Sequence, residues 1–223
     1  MQEVSTATAD ELFSKIAVQL AGRINETIAA EGSCILGIVG GRSMPGLLNA
    51  LRTQDVQGPI YIFWLDERAG WHKNYKPLRW PLRRLRFTTQ VTWYPITGLT
   101  EKTTIQQAET CYKKLMSLRD EPRFDIVIAS AGEDGHVASL FPGNAALTAK
   151  NKGYVTIHNA PKPPPTRVTV TPPLLLTAEE GYLFFTGAKN EAYELFKSGA
   201  STTDCPAKFL EKLPKLTVCT ALS

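Results

Sequence analysis

Residues 34–41, CILGIVGG, decide the fold class of this chain of 223 residues. Residues 34–39 are apolar or small, and the run ends in Gly40 and Gly41, as a strand buried on both faces ends before a tight turn. Such strands are typical of parallel sheets that are covered by helices. A helix is predicted to begin near Pro45, directly after this turn.

Upstream of this strand, apolar residues recur at steps of three and four positions, which predicts an amphipathic helix over residues 8–30. The apolar positions are Leu12, Phe13, Ile16, Ala17, Leu20, Ile24 and Ile28. Thr8 and Glu11 have the spacing of a capping box, in which each side chain bonds the backbone of the other residue at the start of a helix. This spacing supports a helix start near residue 8.

Downstream, two more apolar runs end abruptly in polar loops. Residues 60–65 meet the polar triplet 66–68, and residues 124–129 meet residues 130–132. A helix is predicted between the two runs, over residues 103–119, because apolar residues again keep helical spacing there. Alternating strands and helices predict an α/β fold with a mostly parallel sheet flanked by helices.

The C-terminal half is predicted to add three strands and a helix. These lie at residues 154–157, 167–171, 182–186 and 191–198. A last apolar piece, residues 216–219, is interpreted as an edge strand. The prolines of residues 161–165 each lack an amide donor, which predicts a stiff extended loop. Without an internal repeat or a biased linker, residues 1–223 are predicted to form a single domain.

The charge distribution limits the classes of partner. The formal net charge of +4 is modest, but a run of basic residues follows Glu67 with no acid between them, and it favours an anionic partner. The run comprises Arg68, Lys73, Lys76, Arg79, Arg83, Arg84 and Arg86. Either it is a solvated face, or part of it faces substrate. We expect no nucleic-acid binding, because no helix-turn-helix, zinc-finger or RNP pattern accompanies the run.

The cysteines and the N-terminus favour a reduced, cytoplasmic setting. The four cysteines are far apart in sequence and form no CxxC pair. The N-terminus has an acid at Glu3 and lacks the apolar core of a secretory signal, and no apolar run is long enough to span a bilayer. We therefore expect a soluble protein that does not bind membranes.

Three predicted loops follow strands and should meet at one edge of a parallel sheet, where unpaired amide donors bind ligands. They read GGRSMP (40–45), DERAG (66–70) and SAGEDGHVASLFPG (130–143). Their glycines, arginines, carboxylates and histidine suit a phosphorylated, ester-like substrate. The P-loop and Gly-x-Gly-x-x-Gly patterns are absent, so no nucleotide cofactor is indicated.

His136 is the candidate base. Two glycines bracket it on its loop, and Glu133 and Asp134 stand beside it, where they can orient or polarise the ring. The other two histidines have no such setting. An ordinary histidine pKa of about 6.5 suits a base at neutral pH. Because no histidines or cysteines have the spacing of metal ligands, no metal site is predicted.

The sequence resembles the family of 6-phosphogluconolactonases over nearly its whole length. Four motifs carry the resemblance, in the order found in that family. They are GGRSMPGLL (40–48), FWLDER (63–68), GEDGHVASLFPG (132–143) and APKPPPTRVTVTPPLL (160–175). The resemblance implies a modified Rossmann-like fold. It also implies cofactor-free hydrolysis of 6-phospho-D-glucono-1,5-lactone to 6-phosphogluconate, a step of the oxidative pentose phosphate pathway.

The resemblance further implies roles for individual residues. His136 would take a proton from the water that attacks the lactone carbonyl, and Asp66 would organise the pocket as a second catalytic residue. Arg68 and Lys162 would hold the phosphate. Further substrate contacts are implied for Gly40, Gly41, Arg42, Ser43, Gly132 and Asp134. Arg167 would either touch substrate or pack the proline-rich loop.

Two alternative functions stay open. Glucosamine-6-phosphate deaminases of the same superfamily share a DGH triplet, but they continue toward AFNEPG and lack APKPPPTR, whereas this chain continues ASLFPG. A sensor that binds sugar phosphates without turnover would not require the base. Departures from the family pattern at Ser130, at Arg42 and after the DER triplet bear on substrate preference. For partners, we expect only the sugar phosphate lactone, with the chain a monomer or a weak homodimer.

Overall fold

The computed structural model describes residues 1–70, 74–85, 91–100 and 102–222. Its regular elements alternate between strands and helices. In chain order they are β1 (Gln2–Ser5), α1 (Ala9–Glu31), β2 (Cys34–Ile38), α2 (Ser43–Leu51), β3 (Ile60–Trp64), β4 (Asp66–Arg68), α3 (Tyr75–Arg83), β5 (Val91–Tyr94), α4 (Thr104–Met116), β6 (Ile126–Ser130), β7 (Tyr154–Ile157), β8 (Arg167–Val170), α5 (Pro172–Leu175), β9 (Glu180–Gly187), α6 (Asn190–Lys197) and β10 (Lys215–Leu222).

The main sheet is parallel, as the sequence predicts. Within the described ranges it has seven strands in the spatial order β1-β10-β9-β6-β2-β3-β5, and every neighbouring pair is parallel. Strand β2 is buried along its whole length between β3 and β6, which confirms the interpretation of residues 34–39. The predicted α/β fold, a sheet flanked by helices in a single domain, is confirmed.

Helix α1 closely matches its prediction. The Thr8 side chain accepts a hydrogen bond from the backbone N–H of Glu11, as expected for an N-cap. At the other end Gly32 adopts a left-handed conformation, with φ 76°, and its N–H donates to the Ile28 carbonyl. The buried face of α1 packs on α2, β2 and β10. Helix α2 begins at Ser43, slightly before the predicted start near Pro45.

Residues 66–68 form a strand rather than the predicted polar loop. Strand β4 pairs with β8, and β8 with β7, in a small antiparallel sheet outside the main one. Asp66 and Glu67 can be buried in this sheet because hydrogen-bond donors from neighbouring elements satisfy their carboxylates. Strands predicted at residues 154–157 and 167–171 therefore belong to the small sheet, whose register places Arg68 opposite Arg167.

The prediction of an edge strand at residues 216–219 is wrong. Strand β10 lies between β1 and β9, and β1 is its outer neighbour. The strand signal of β1 is weak because Val4 is the buried residue among polar, exposed ones. No helix in the described ranges has both the length and the apolar character to cross a bilayer.

The sheet order gathers four loops at one edge. Strands β9, β6, β2 and β3 are consecutive neighbours, and because they are parallel, their carboxyl ends lie on the same side. The loops that follow them begin at Ala188, Ala131, Val39 and Leu65. This edge is where the candidate site lies.

Candidate active site

A cavity of about 350 Å³ opens at the carboxyl edge of the main sheet. Residues from all four strand-end loops and from the proline-rich segment line it. It brings together most of the predicted site residues, namely Gly40, Gly41, Arg42, Ser43, Asp66, Arg68, Gly132, His136 and Lys162. Asp134 and Arg167 are not among the described residues that line it.

His136 is held in a fixed orientation at this cavity. Its Nδ1 hydrogen-bonds the Asp134 carboxylate, and no described residue bonds its other ring nitrogen, Nε2. Burial by itself would raise the pKa of Asp134, but the hydrogen bond and charge of His136 lower it to about 2. Asp134 therefore stays ionised at neutral pH and orients the imidazole from behind.

Gly132 makes room for the histidine ring. A Cβ atom at this position would lie 2.0 Å from His136 Cε1 and 2.1 Å from Nδ1, far inside van der Waals contact. A side chain at position 132 would therefore displace the ring. The histidine also contacts Phe141, with ring centroids 4.7 Å apart. The loop residues that flank His136 thus define where its free nitrogen lies.

Asp66 is buried and held from two sides. Its Oδ1 accepts a hydrogen bond from Asn74 Nδ2 at 2.8 Å, and its Oδ2 accepts one from Ser139 Oγ at 2.6 Å. Burial raises the pKa of this carboxyl, and the Ser139 hydrogen bond and the charges of Arg68 and Arg167 partly offset the increase. Asp66 therefore borders the cavity as a fixed hydrogen-bonding group.

Lys189 also lines the cavity, and sequence reasoning missed it. Its ammonium donates hydrogen bonds to Ser130 Oγ, at 2.7 Å, and to the Ala131 carbonyl. Burial and, to a smaller extent, the Arg42 charge lower the pKa of Lys189 to about 8. At neutral pH this lysine is still largely protonated, and a bound anion would stabilise its charged form.

Cations from several elements surround the cavity. Arg42 and Arg68 have no acidic partner among the described side chains, and the buried Nε of Arg68 has no hydrogen-bond acceptor there. Lys162 is exposed and forms an ion pair with Glu133 at 2.9 Å. The cavity therefore has an excess of positive charge that suits an anionic ligand.

Arg167 lies behind the cavity wall. Its guanidinium donates to the Lys162 carbonyl at 2.7 Å and to the Pro164 carbonyl at 3.3 Å, and it stacks 5.0 Å from the centre of the Phe141 ring. This position agrees with the packing alternative, in which Arg167 holds the proline-rich loop in place. That loop contains Lys162.

The basic run is divided by its surroundings. Arg68 reaches the cavity, whereas Lys76, Arg79, Arg83 and Arg84 lie on or just after α3 and are exposed. Lys73 and Arg86, which belong to the same predicted run, lie outside the described residues. Part of the run thus lies on an exposed face, and Arg68 borders the cavity.

No local sequence pattern marks the two residues that sequence reasoning missed. Lys189 follows a strand that lies beside β6, but the sequence does not reveal that neighbour, because 49 residues lie between the two strands. Asn74 contacts Asp66, which lies eight positions earlier in the sequence. In the described ranges, no three metal-ligating side chains lie close enough together to hold an ion.

The arrangement can support a specific chemistry. An oriented imidazole with a free nitrogen can take a proton from water, and nearby cations can hold an anionic group at a distance from the reacting atom. These are the requirements for hydrolysis of an activated ester whose substrate carries a phosphate.

Comparisons with known proteins agree with this geometry. A family model described as "Glucosamine-6-phosphate isomerases/6-phosphogluconolactonase" matches residues 7–218. A 6-phosphogluconolactonase from Borreliella burgdorferi is 31% identical over 198 residues, which is 83% of this chain and 82% of that protein. The crystal structure of a 6-phosphogluconolactonase from Shewanella baltica superimposes with a TM-score of 0.81 at 23% identity, covering 98% of this chain and 96% of the other.

Plant relatives share a shorter region. A protein named probable 6-phosphogluconolactonase 2 from Oryza sativa subsp. indica is 35% identical over 153 residues. The match covers 60% of this chain and 53% of the rice protein, so this chain spans about half the length of that relative.

Proposed function

This chain belongs to the glucosamine-6-phosphate isomerase/6-phosphogluconolactonase family, and from that premise we propose that it hydrolyses 6-phospho-D-glucono-1,5-lactone to 6-phosphogluconate. The observation that carries the proposal is the position of His136 at the cavity, oriented by Asp134 and with Nε2 free. Motif identity alone would not distinguish a base from a packed histidine.

The proposed reaction begins with water. Nε2 of His136 accepts a proton from a water molecule while the water oxygen attacks the lactone carbonyl carbon, which gives a tetrahedral oxyanion. The oxyanion then collapses, the bond to the ring oxygen breaks, and the imidazolium returns its proton to that oxygen. The products are a carboxylic acid, which ionises, and the free hydroxyl of the opened ring. Asp134 stabilises the imidazolium between the two proton transfers.

The cations of the cavity would hold the phosphate. Arg68 lies in β4 and Lys189 in the loop after β9, and Lys162 can exchange its ion pair with Glu133 for one with substrate. The Ser43 hydroxyl and the backbone N–H groups of Gly40 and Gly41 would add donors. Ser43 Oγ is held near the cavity by a 2.7 Å hydrogen bond with Thr186 Oγ1. Charged hydrogen bonds of this kind contribute about 1.5–3 kcal/mol each. They act far from the carbonyl and mainly set affinity.

A direct assay tests the proposal. The purified protein is mixed with freshly prepared 6-phosphogluconolactone in a pH-stat, and the spontaneous rate is subtracted. We expect turnover with the phosphorylated lactone and a kcat/KM at least roughly 10-fold lower for unphosphorylated gluconolactone, because the phosphate contacts are lost.

Parallel measurements separate the alternatives. The deaminase alternative predicts ammonia release from glucosamine 6-phosphate, and the sensor alternative predicts tight binding of 6-phosphogluconate without turnover of the lactone. Either result in the absence of lactone hydrolysis would overturn the proposed function.

A further inference from the structure

Glu67 is a completely buried carboxylate that the proposed reaction does not use. It lies in β4 between two residues of the cavity wall, Asp66 and Arg68, and is not among the described residues that line the cavity. The carboxylate accepts hydrogen bonds from the backbone N–H groups of Arg68 at 2.8 Å, Asn74 at 3.1 Å and Tyr75 at 3.0 Å. It therefore fixes the chain where α3 begins.

Asn74 links this anchor to the cavity. Its side-chain amide donates to the backbone carbonyl of Asp66 at 2.9 Å and to the Asp66 carboxylate at 2.8 Å. It also packs against Gly40, where a Cβ atom would lie 2.3 Å from Asn74 Oδ1. Since Asn74 is buried and its own backbone N–H is bound by Glu67, the position of one side chain depends on the other.

We propose that Glu67 is a positioning residue for the reaction, which acts by fixing Asn74 and, through Asn74, the carboxylate of Asp66 and the wall formed by Gly40. The proposal rests on the proposed lactone hydrolysis. Glu67 touches no substrate in this account. Its carboxylate supplies two acceptor oxygens to three donors, which a protonated carboxyl or an amide cannot do, because each of those turns one acceptor into a donor.

The charge state of Glu67 links this anchor to pH. Burial raises the pKa of Glu67 to about 7, and the adjacent carboxylate of Asp66 adds to the increase, whereas the three backbone N–H groups oppose it. The charged groups that interact with Glu67 are Asp66 on β4 and Arg167 on β8, while Arg68 contributes its backbone N–H. As the pH falls through 7, Glu67 gains a proton, loses an acceptor and releases part of the anchor.

The first test is the pH profile of Glu67→Gln. In the wild type we expect kcat to fall as the pH drops through about 7, because Glu67 gains a proton there and the anchor weakens. In Glu67→Gln we expect kcat to be roughly 10- to 100-fold lower at pH 8, the size of effect that small misplacements produce, and the fall in kcat that Glu67 causes through pH 7 to be absent. A wild-type profile for the variant would overturn the proposal.

The second test is a double-mutant cycle with Asn74→Ala, which retains the backbone N–H but removes the contact with Asp66. If Glu67 acts through Asn74, the double variant should lose no more kcat than the worse single variant. Multiplicative losses would overturn the proposal. Glu121→Gln, whose side chain is 79% exposed, is the matched control and should keep wild-type kcat.

Folding and function are controlled separately. Circular dichroism and thermal melts identify any variant that fails to fold. If Glu67→Gln does not fold, Asn74→Ala alone supplies the test: kcat should fall, and the loss of kcat through pH 7 should disappear, because Glu67 can no longer act through Asn74. An unchanged kcat would overturn the proposal. Wild-type protein without lactonase activity would overturn the proposed function as well, whereas active wild type with unaffected variants overturns the positioning role alone.

Discussion

Charged side chains lie near both ends of the central strands. Among the described residues, those at one end form ion pairs, and several cations at the other end do not. At the amino ends of β2, β6 and β9, arginines and carboxylates pair with one another. At the carboxyl edge of the sheet, Arg42 after β2, Arg68 in β4 after β3, and Lys189 after β9 have no acidic partner among the described side chains. The sheet therefore separates a neutralised edge from an edge with unmet positive charge.

The amino edge is a structural network. Asp125 accepts a hydrogen bond from the Ile35 backbone N–H at 2.7 Å and forms ion pairs with Arg119, at 3.3 Å, and Arg123, at 3.6 Å. Arg23 pairs with Glu180 at 2.6 Å. A cavity of about 310 Å³ also lies at this edge, similar in size to the one at the carboxyl edge. Size therefore does not distinguish the two cavities, whereas unpaired charge and the oriented histidine do.

The largest effect expected at the carboxyl edge is from His136→Ala. Removal of a general base should lower kcat by about 10² to 10⁴ while the melting temperature changes little. The measurement is the pH-stat assay with purified variants. His158→Ala is the matched control, because His158 is exposed and lies away from the cavity, and it should keep the wild-type rate. Equal activity of the two variants would contradict the role of His136.

At the amino edge, Asp125→Ala should instead affect stability. The substitution leaves buried donors without their carboxylate, which costs about 3–5 kcal/mol of unfolding free energy. Urea denaturation measures this loss, and kcat per folded molecule should stay within about twofold of the wild type. Glu31→Ala removes a half-exposed partner of Arg123 and should cost less than about 1 kcal/mol. A large loss of kcat in Asp125→Ala would contradict the claim that the amino edge affects stability and not activity.

Lys189→Met should weaken binding of 6-phosphogluconate roughly 10- to 100-fold, since a hydrogen bond to a charged group contributes about 1.5–3 kcal/mol. Calorimetry gives the affinity directly. Because its pKa is lowered to about 8, Lys189 loses its charge as the pH rises above 8, so wild-type affinity should fall there while Lys189→Arg keeps it. Lys208→Met is the control, as that partly buried lysine bonds carbonyls away from the cavity. Unaltered affinity in Lys189→Met would show that Lys189 does not contribute to binding of the phosphate.

The smallest effect is expected from Lys162→Ala. This lysine is 49% exposed and already paired with Glu133, so we expect KM to rise at most about fivefold and kcat to be unchanged. Lys152→Ala, similarly exposed and paired with Glu121, should leave both parameters unchanged. A fall in kcat for Lys162→Ala would place it nearer the reacting carbonyl than proposed.

Local pattern predicted much of this fold. The apolar run at residues 34–39, the capping box of α1 and the alternation of strands and helices each depend on neighbours in sequence, and each prediction agrees with the structure to within a few residues. The small sheet was missed because Asp66 and Glu67 resemble loop residues. Asp66 can be buried because the distant Ser139 donates to it, and Glu67 because backbone N–H groups at the start of α3 donate to it.

The site was predictable where one loop contains both partners. Gly132, Asp134 and His136 lie within five residues, so the sequence indicates their proximity directly. Lys189 could not be found in this way, since its place depends on β9 lying beside β6. The sequence offered both Glu133 and Asp134 as residues that could orient the histidine ring, and the hydrogen bond to His136 Nδ1 comes from Asp134.

The residues proposed to hold the sugar phosphate belong to two different sheets. His136 and Lys189 follow strands of the main sheet, whereas Arg68 lies in the small sheet and Lys162 in the loop that leads into it. A ligand that contacts all four would bridge the two sheets across the cleft between them. Such a ligand would reduce the local opening of the small sheet, at a cost in conformational entropy, so its binding should slow amide hydrogen exchange in β4 and β8.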